Sequence, residues 1–576
     1  MFACWKLLPL LLFLFNKSKM NQLYSKFNSK SLFFGGLILV FSFNFQQLLA
    51  QDIPDIISKK EVASINFLPD FSYAGYHFGN ISLPEIKEKV ILATDFGVKA
   101  NDNLDDSKAL LKAFKAANEV AGNVVLQLPV GKIILSDILY IERSNFVLRG
   151  AGSGAQGTEI FCPRPMMYLK DQESLAELRE YLTSTGKRQV EKENNIDLPF
   201  SQFAWSGGFI WTQVPNQRVK SYMEKYETPP NVFAKVIKGN RGEKEFVVSD
   251  IKGLKVGDVV ELDLFNKEGE KGEIIEALYR NSKTKIGYSH WKQPNLALVR
   301  QQVEIVSISK NKITIKTPLL LDIKPNYEAL LVEWKHLSEV GIEHLRISFP
   351  DAARVAHHLE QGYNGVFLTR LFNSWVQDVI INNAESGILT EEIANVTIKD
   401  IVTEGKNIAH YTVEMGGVHN VLVENLKVYN KAVHPLSFNT FATKNVYENC
   451  EIFTDPDLDQ HAGANHQNLF DNIKVHFDAD KSNTYPLFAG GGAGYWKPSH
   501  GAYSTFWNIK IDVNGTNNSP IELNGMEEGP FARIIGVNGN RTFSVKYGPD
   551  AFIDFVNKPM SKIPSLYYYQ LKKRLK

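Results

Sequence analysis

From residue 378 onward the chain repeats a short unit: an Asn or Asp, an apolar residue after it, then a stretch in which apolar and polar side chains alternate. The pairs are Asp378-Val379, Asp400-Ile401, Asn425-Leu426, Asn449-Cys450, Asn472-Ile473 and Asn508-Ile509. The first five are spaced 22, 25, 24 and 23 residues apart, which is the length of one coil in a solenoid whose stacked strands bury a continuous core. Runs such as 396–402 and 421–428 supply the alternating strands. The last interval is 36 residues and contains the run from Gly490 to Pro498, expected to project from the stack as a loop. The pattern predicts an all-β chain built as a parallel β-helix, with Asp378, Asp400, Asn425, Asn449 and Asn472 stacked in one column.

Upstream the period changes. Residues 90–130 give a strand, a polar loop, an amphipathic helix with Leu110, Leu111 and Phe114 on one face, and a second strand. Asp106 or Ser107 is placed to cap that helix. Asp95-Phe96-Gly97, the loop from Asn101 to Ser107, the helix and the Leu128-Pro129 strand end resemble the N-terminal signature of the pectate lyase superfamily and of polygalacturonase-like proteins. Asn103 stands where that loop usually carries glycine. The resemblance implies a right-handed parallel β-helix with an N-terminal capping helix, and says little about the reaction. With Phe71 to Tyr76 included, the chain is also similar to β-helix proteins of marine bacterial polysaccharide-utilisation systems, a group that includes a dehydratase of ulvan oligosaccharides.

Between 161 and 330 the coil period is lost, and short strands around 253–262 and 303–317 predict a small inserted β-rich module. The expected organisation is a leader over 1–50, a cap and first coils over 51–160, the module over 161–330, the main β-helix over 331–560 and a tail over 561–576. The leader has Lys6, Lys17, Lys19, Lys26 and Lys30, no acid, and an apolar run from 32 to 45 that closes on Leu48-Leu49-Ala50. That is the pattern of a cleaved secretory signal, with Met20 as an alternative start. Each apolar run is shorter than the roughly 20 residues of a spanning helix, so a secreted or periplasmic protein with no membrane span after cleavage is expected.

Without those lysines 59 basic residues face 63 acidic ones. This near-balance excludes the strongly basic footprint of a nucleic-acid binder, and any anionic substrate must be met by a local cluster. Three cysteines, one in the leader, rule out a disulfide framework. Cys450 at a repeating apolar position reads as a buried thiol.

Counting fifteen residues back from the ladder gives the column Tyr363, Glu385, His410, His434 and Asp457; four residues further on, Phe367, Leu389, Glu414, Phe438 and His461. Strand alternation puts both columns on one outward face. Imidazoles stacked among carboxylates and a phenol supply bases, acids and anion contacts together. His410, His434, Glu385 and His461 are therefore the candidate catalytic residues. Tyr363, Arg354, Arg370, Glu414, His466, Tyr495 and Lys497 are the candidate substrate contacts, Arg354 and Arg370 as carboxylate or sulfate holders. Glu392 stands one coil from Arg370, so a structural ion pair competes for that arginine. Asp455, Asp457 and Asp459 alternate like a calcium loop but lack its glycine and terminal glutamate. No metal or other cofactor is assigned, and calcium stays open only because some pectate lyases of this fold use it.

The chemistry that fits is β-elimination on a uronic acid. A base takes the C5 proton, a cationic group neutralises the neighbouring carboxylate, and an acid helps the C4 group leave. The partner is an acidic carbohydrate, the enzyme a polysaccharide lyase or an oligosaccharide dehydratase; no protein partner is inferable. Two alternatives compete: a polygalacturonase-like glycoside hydrolase using Glu385 and Glu414, and a non-catalytic carbohydrate-binding β-helix with Tyr495 and Trp496 as a platform.

Overall fold

The computed structural model describes residues 53–58, 67–169, 201, 203–217, 231–265, 272–280, 297–325, 328–352, 358–461, 463–479, 483–491, 499–516, 518–525 and 529–576. The expected leader over 1–50, Arg354, Tyr495, Trp496 and Lys497 lie outside them. Residues 1–60 form one compact unit and 61–576 the other; of the first, a helical turn Asp55–Ser58 is described. No helix among the described residues is long and apolar enough to cross a membrane.

The larger unit is a right-handed parallel β-helix. Val340–Ser348, Leu371–Asn382 and Ala394–Glu404 pair in parallel, coil on coil, and the stack continues through Leu422–Glu424, Val446–Glu448, Leu469–Asp471, Thr505–Asn514 and Arg533–Gly539. A second sheet of seven strands runs from Leu139–Ile141 and Ile210–Thr212 through Asn364–Thr369, Ser386–Glu391, Ala409–Met415 and Ala432–Phe438 to Leu458–Gln460. Between the sheets lies a continuous core, with Tyr447, Phe470 and Phe506 stacked at 5.7 and 5.3 Å and tilted by no more than 12°.

The expected column is present, and each of its members holds a left-handed backbone. Asp378, Asp400, Asn425, Asn449, Asn472 and Asn508 have φ between 52° and 59°, a conformation that Asn and Asp tolerate better than other side chains. Asn425 donates to Asp400 at 2.8 Å, Asn449 to Asn425 at 2.6 Å, Asn472 to Asn449 at 3.1 Å and Asn508 to Asn472 at 2.9 Å. One residue type thus turns the corner and hydrogen-bonds to the coil below. The 36-residue interval before Asn508 leaves the ladder unbroken, and the strand Thr484–Phe488 within it stays in the stack, paired in parallel with Ile521–Gly525 and with Leu487 and Phe488 in the core.

The helix Ser107–Asn118 buries Leu110, Ala113, Phe114 and Ala117, whereas Leu111 is exposed, contrary to expectation. Neither proposed capping side chain caps it; Asp105 instead accepts from the Ser107 amide at 2.8 Å. Between 232 and 333 six strands close into a barrel with its own core. Ile210–Thr212, inside the range expected to form the module, is instead a β-helix strand paired with Leu139–Ile141 and with Asn364–Thr369. Cys162 and Cys450 are free and buried.

Helix Leu566–Arg574 is docked by Asp471, whose carboxylate accepts from Ser565 Oγ at 2.7 Å and from the amides of Leu566 and Tyr567 at 3.0 and 2.8 Å. Its side chains also tie the segment 69–80: Tyr567 Oη donates to Ala74 O at 2.9 Å, Gln570 to Pro69 O at 2.9 Å, and Arg574 to Ser72 O and Phe78 O.

Asn449→Ala should lower stability by about 1–3 kcal/mol, from two lost inter-coil hydrogen bonds, to Asn425 and from Asn472, and a strained φ. Asn449→Gly, which relieves the strain, should cost less. Equilibrium denaturation of both variants checks the order; equal losses would mean that the corner conformation contributes nothing.

Candidate active site

The seven-stranded sheet sets which residues meet. Ser386 pairs with Tyr411, Tyr411 with His434, and Leu436 with Leu458. His434 therefore sits above Tyr411, not above His410 as equal counting from the ladder placed it. The columns slip by one residue because coils of 22 to 25 residues share a corner but not an arc length. Asp459, not His461, continues the Glu414 column, through Ser437.

The slip packs the rings closely. His410 stacks on Tyr411 at 4.2 Å, Tyr411 on His434 at 5.0 Å, and His434 meets the edge of His461 at 4.4 Å. On the other side His358 lies 5.6 Å from His410 and 5.0 Å from Trp205. The expectation of an exposed polar face is overturned: relative exposure is 0% for His410, 6% for His434 and 8% for His461. Trp205 and the segment 358–363 close over this part of the sheet. His358 is only half-buried, and its φ of 68° is a strained backbone of the kind that accumulates at functional sites.

The three buried imidazoles each have a carboxylate. His410 Nδ1 is 3.2 Å from Glu360 Oε1. His434 Nδ1 and His461 Nδ1 approach the same Asp459 oxygen, Oδ2, at 3.0 and 3.1 Å. Ser437 Oγ donates to that oxygen at 2.8 Å, and the Gly491 amide donates to Oδ1 at 2.6 Å. Burial alone would raise the Asp459 pKa, but the charges and hydrogen bonds of His434 and His461 hold it well below the usual carboxylate range. Burial and the Asp459 charge push Asp457 well above it. Gly491 lies across this cluster instead of projecting: a Cβ there would sit 2.1 Å from His461 Nδ1.

Glu385 holds the backbone. Its carboxylate accepts from the amides of Gln361, Gly362 and Tyr363 at 3.0, 2.7 and 2.9 Å, which fixes the segment carrying His358 and Glu360. Burial raises its pKa against the pull of those three amides. Tyr363 packs its ring 5.7 Å from Phe349 in the core. Glu414 is buried beneath Thr390 and Asn439, and burial pushes its pKa up to about 8. Arg370 is taken by a buried ion pair with Glu392 at 3.0 Å. His466 sits at a different corner, in the bridge series Ala394, His419, Thr443, His466; burial pushes its pKa down to about 4. It lines a cavity of about 270 Å³ with Arg241, Arg280 and Tyr503.

Of the proposed residues, then, His410, His434 and His461 converge, Glu385 supports them, and Tyr363, Glu414, Arg370 and His466 stand elsewhere. Tyr411, Asp459, Glu360, His358 and Trp205 complete the cluster. Tyr411 and Asp459 were reachable from sequence through a one-residue change of register. Trp205 carries no such signal, since it comes from a coil some 200 residues upstream.

No protein-family profile matches the chain, and no curated protein sequence matches it. Among solved structures it is similar to the tailspike protein gp49 from Pseudomonas phage LKA1, at 11% identity over 81% of this chain and 78% of that one, TM-score 0.40. It is likewise similar to the A-module of the mannuronan C-5 epimerase AlgE4 from Azotobacter vinelandii, at 12% identity over 81% and 96%, TM-score 0.36. DFA-IIIase from Arthrobacter chlorophenolicus A6 gives 11% identity over 81% and 94%, TM-score 0.36. Likeness at this level carries no argument about activity.

Because Glu414 has a pKa near 8 in the fold and near 4.5 when unfolded, the native state alone keeps its proton between those values. Its contribution to stability is present at pH 4.5 and below and is lost as pH rises towards 8. Glu414→Gln should therefore flatten the fall in denaturation midpoint between pH 5 and 8. Parallel wild-type and variant curves would show that Glu414 is ionised in the fold.

Proposed function

We propose that the protein is a carbohydrate-active enzyme that performs β-elimination on a uronic acid residue, yielding a 4,5-unsaturated uronate. The observation that carries this reading is the convergence of His358, His410, His434 and His461 with Glu360 and Asp459 on one end of a parallel sheet. Imidazoles oriented by carboxylates move protons near neutral pH.

The cluster has two ends. At one, His358 is the half-buried imidazole that can take the C5 proton, with His410 and Glu360 behind it. At the other, His434 and His461 converge on Asp459 and receive the substrate carboxylate, whose neutralisation makes the C5 proton acidic. The inner members of the two ends, His410 and His434, have ring centres 5.5 Å apart. Elimination of a C4 hydroxyl makes the enzyme a dehydratase of short oligosaccharides, and elimination of a C4 sugar a lyase. The resemblance to the ulvan-degrading group favours the dehydratase, and the leader-like pattern over residues 1–50 supports a reaction outside the cytoplasm.

Hydrolysis is the second reading. Glu385 and Glu414 do not favour it, since one clamps backbone amides and the other is enclosed in the sheet. Asp457 and Asp459 do, because their environments drive their pKa values apart, as in an acid–base pair.

Purified protein given uronate-containing oligosaccharides should produce the ultraviolet absorbance of a C4–C5 double bond conjugated to the carboxylate. By mass, a dehydratase product has lost one water and a lyase conserves summed mass. Products that have gained water would overturn elimination and promote Asp457 and Asp459. His358→Ala should cut turnover by about a hundredfold or more while lowering the melting temperature only modestly, by the ring contacts to Trp205 and His410 and the strain of alanine at a φ of 68°. His410→Ala, at a fully buried position, should lose both activity and stability. Full activity in His358→Ala would remove it as the base.

A further inference from the structure

We propose that His434, Asp459 and His461 form a binding site for one divalent transition-metal ion of the zinc class. Two imidazole nitrogens and one carboxylate oxygen, each from a buried residue, lie within 4.8 Å of one another.

The carboxylate oxygen carries the argument. Asp459 Oδ2 is approached at 2.8 Å by Ser437 Oγ, at 3.0 Å by His434 Nδ1 and at 3.1 Å by His461 Nδ1. Each oxygen of a carboxylate has about two lone-pair positions, so three donors on one oxygen exceed what it can accept well. If both imidazoles were protonated, two cations would stand with ring centres 4.4 Å apart. An ion held by both Nδ1 atoms and Oδ2 removes both conflicts, because the nitrogens become neutral ligands. With metal–ligand distances of about 2.0–2.2 Å, neighbouring ligand atoms fall about 3.3–3.6 Å apart in a tetrahedron and about 2.8–3.1 Å apart at right angles, so the 3.0 and 3.1 Å from Oδ2 to the two nitrogens need shifts of only a few tenths of an ångström for a tetrahedral ion.

The donor set selects the metal class. Calcium and magnesium take oxygen ligands, whereas two imidazoles with one carboxylate suit zinc, cobalt, iron or nickel. The calcium suggested by fold resemblance is therefore not the ion that these residues fit. The surroundings are those of a supported site: Ser437 and the Gly491 amide fix the carboxylate from both oxygens, as groups behind metal ligands do. Three protein ligands leave positions open for a substrate atom.

Metal binding itself does not depend on the reaction. Its role does rest on the elimination reading: the ion would hold the uronate carboxylate, the part for which Arg370, committed to Glu392, is not available.

The test uses the full chain after chelation and dialysis, titrated with Zn²⁺ by calorimetry and with Co²⁺ by visible absorption. The expected result is one equivalent of Zn²⁺ bound at micromolar affinity or tighter, and cobalt bands of a nitrogen- and oxygen-ligated ion. His461→Ala should weaken binding at least tenfold with an unchanged circular dichroism spectrum. Ser437→Ala, which leaves all three ligands in place, should weaken it about ten- to hundredfold and so decides the matter if His461→Ala fails to fold. No stoichiometric uptake by the folded wild type, or equal uptake by the folded variants, would overturn the site. Because these measurements contain no substrate, tight Zn²⁺ binding without unsaturated product would overturn the elimination reading alone. Elimination at full rate in chelated, metal-free protein would overturn the role given to the ion.

Discussion

Everything in this molecule hangs on the pairing of each coil with the next at one strand spacing, about 4.8 Å. Strands bring residues into register along the stack, and the left-handed corners at Asp378, Asp400, Asn425, Asn449, Asn472 and Asn508 turn every coil at the same place. The amide of one corner donates to the corner below, so conformational tolerance and inter-coil bonding come from one side chain. Residues far apart in sequence can then meet: Trp205 beside His358 and His410, or Ala464, whose amide donates to Tyr279 Oη in the core of the barrel.

The fold was legible because a corner is a local demand. Only a few residue types accept φ near 55°, so the ladder is written into the chain at nearly even intervals. The site was only partly legible, since it depends on arc length between corner and strand. Counting a fixed fifteen residues back gave Glu385 over His410 correctly but put His434 on His410, where the pairing puts it on Tyr411. A slip of one residue exchanges the faces of a strand, which is why Tyr411 was passed over and Asp459 was read only in the run Asp455, Asp457, Asp459 and not as a partner of the histidines. Burial was misjudged for another reason: the covering segments are set by long-range packing, and no periodicity in the sheet announces them. Arg370 shows the reverse case, where the charge of Glu392 one coil away was visible in the sequence and the ion pair formed.

The second recurring theme is the buried ionisable group. Glu414, Glu448 and Asp471 are all pushed up by removal from water, to about 8, 8 and 7. His419 and His466 are pushed down, to about 3 and 4. A burial cost opposes ionisation in both directions, so near neutral pH Glu414, Glu448, His419 and His466 are held mostly uncharged, while Asp471 stands between its two forms. The imidazole cluster differs, because there His410, His434 and His461 each meet a carboxylate at hydrogen-bond distance. The contrast separates polar residues that finish the packing of a stack from those that concentrate charge.

The clasp between helix Leu566–Arg574 and residues 69–80 changes how such a stack can come apart. A solenoid in which each coil touches only its neighbours unravels from either end, one repeat at a time. Here Tyr567, Gln570 and Arg574 bond to partners 493 to 502 residues away in sequence. Loosening the last coils therefore also uncovers the segment laid against the middle ones, where Asn395 holds Tyr73 O and Gly75 bonds to Asn420 O. The array behaves less like a stack of coins than like a bound book, whose pages cannot be lifted singly while the spine is glued.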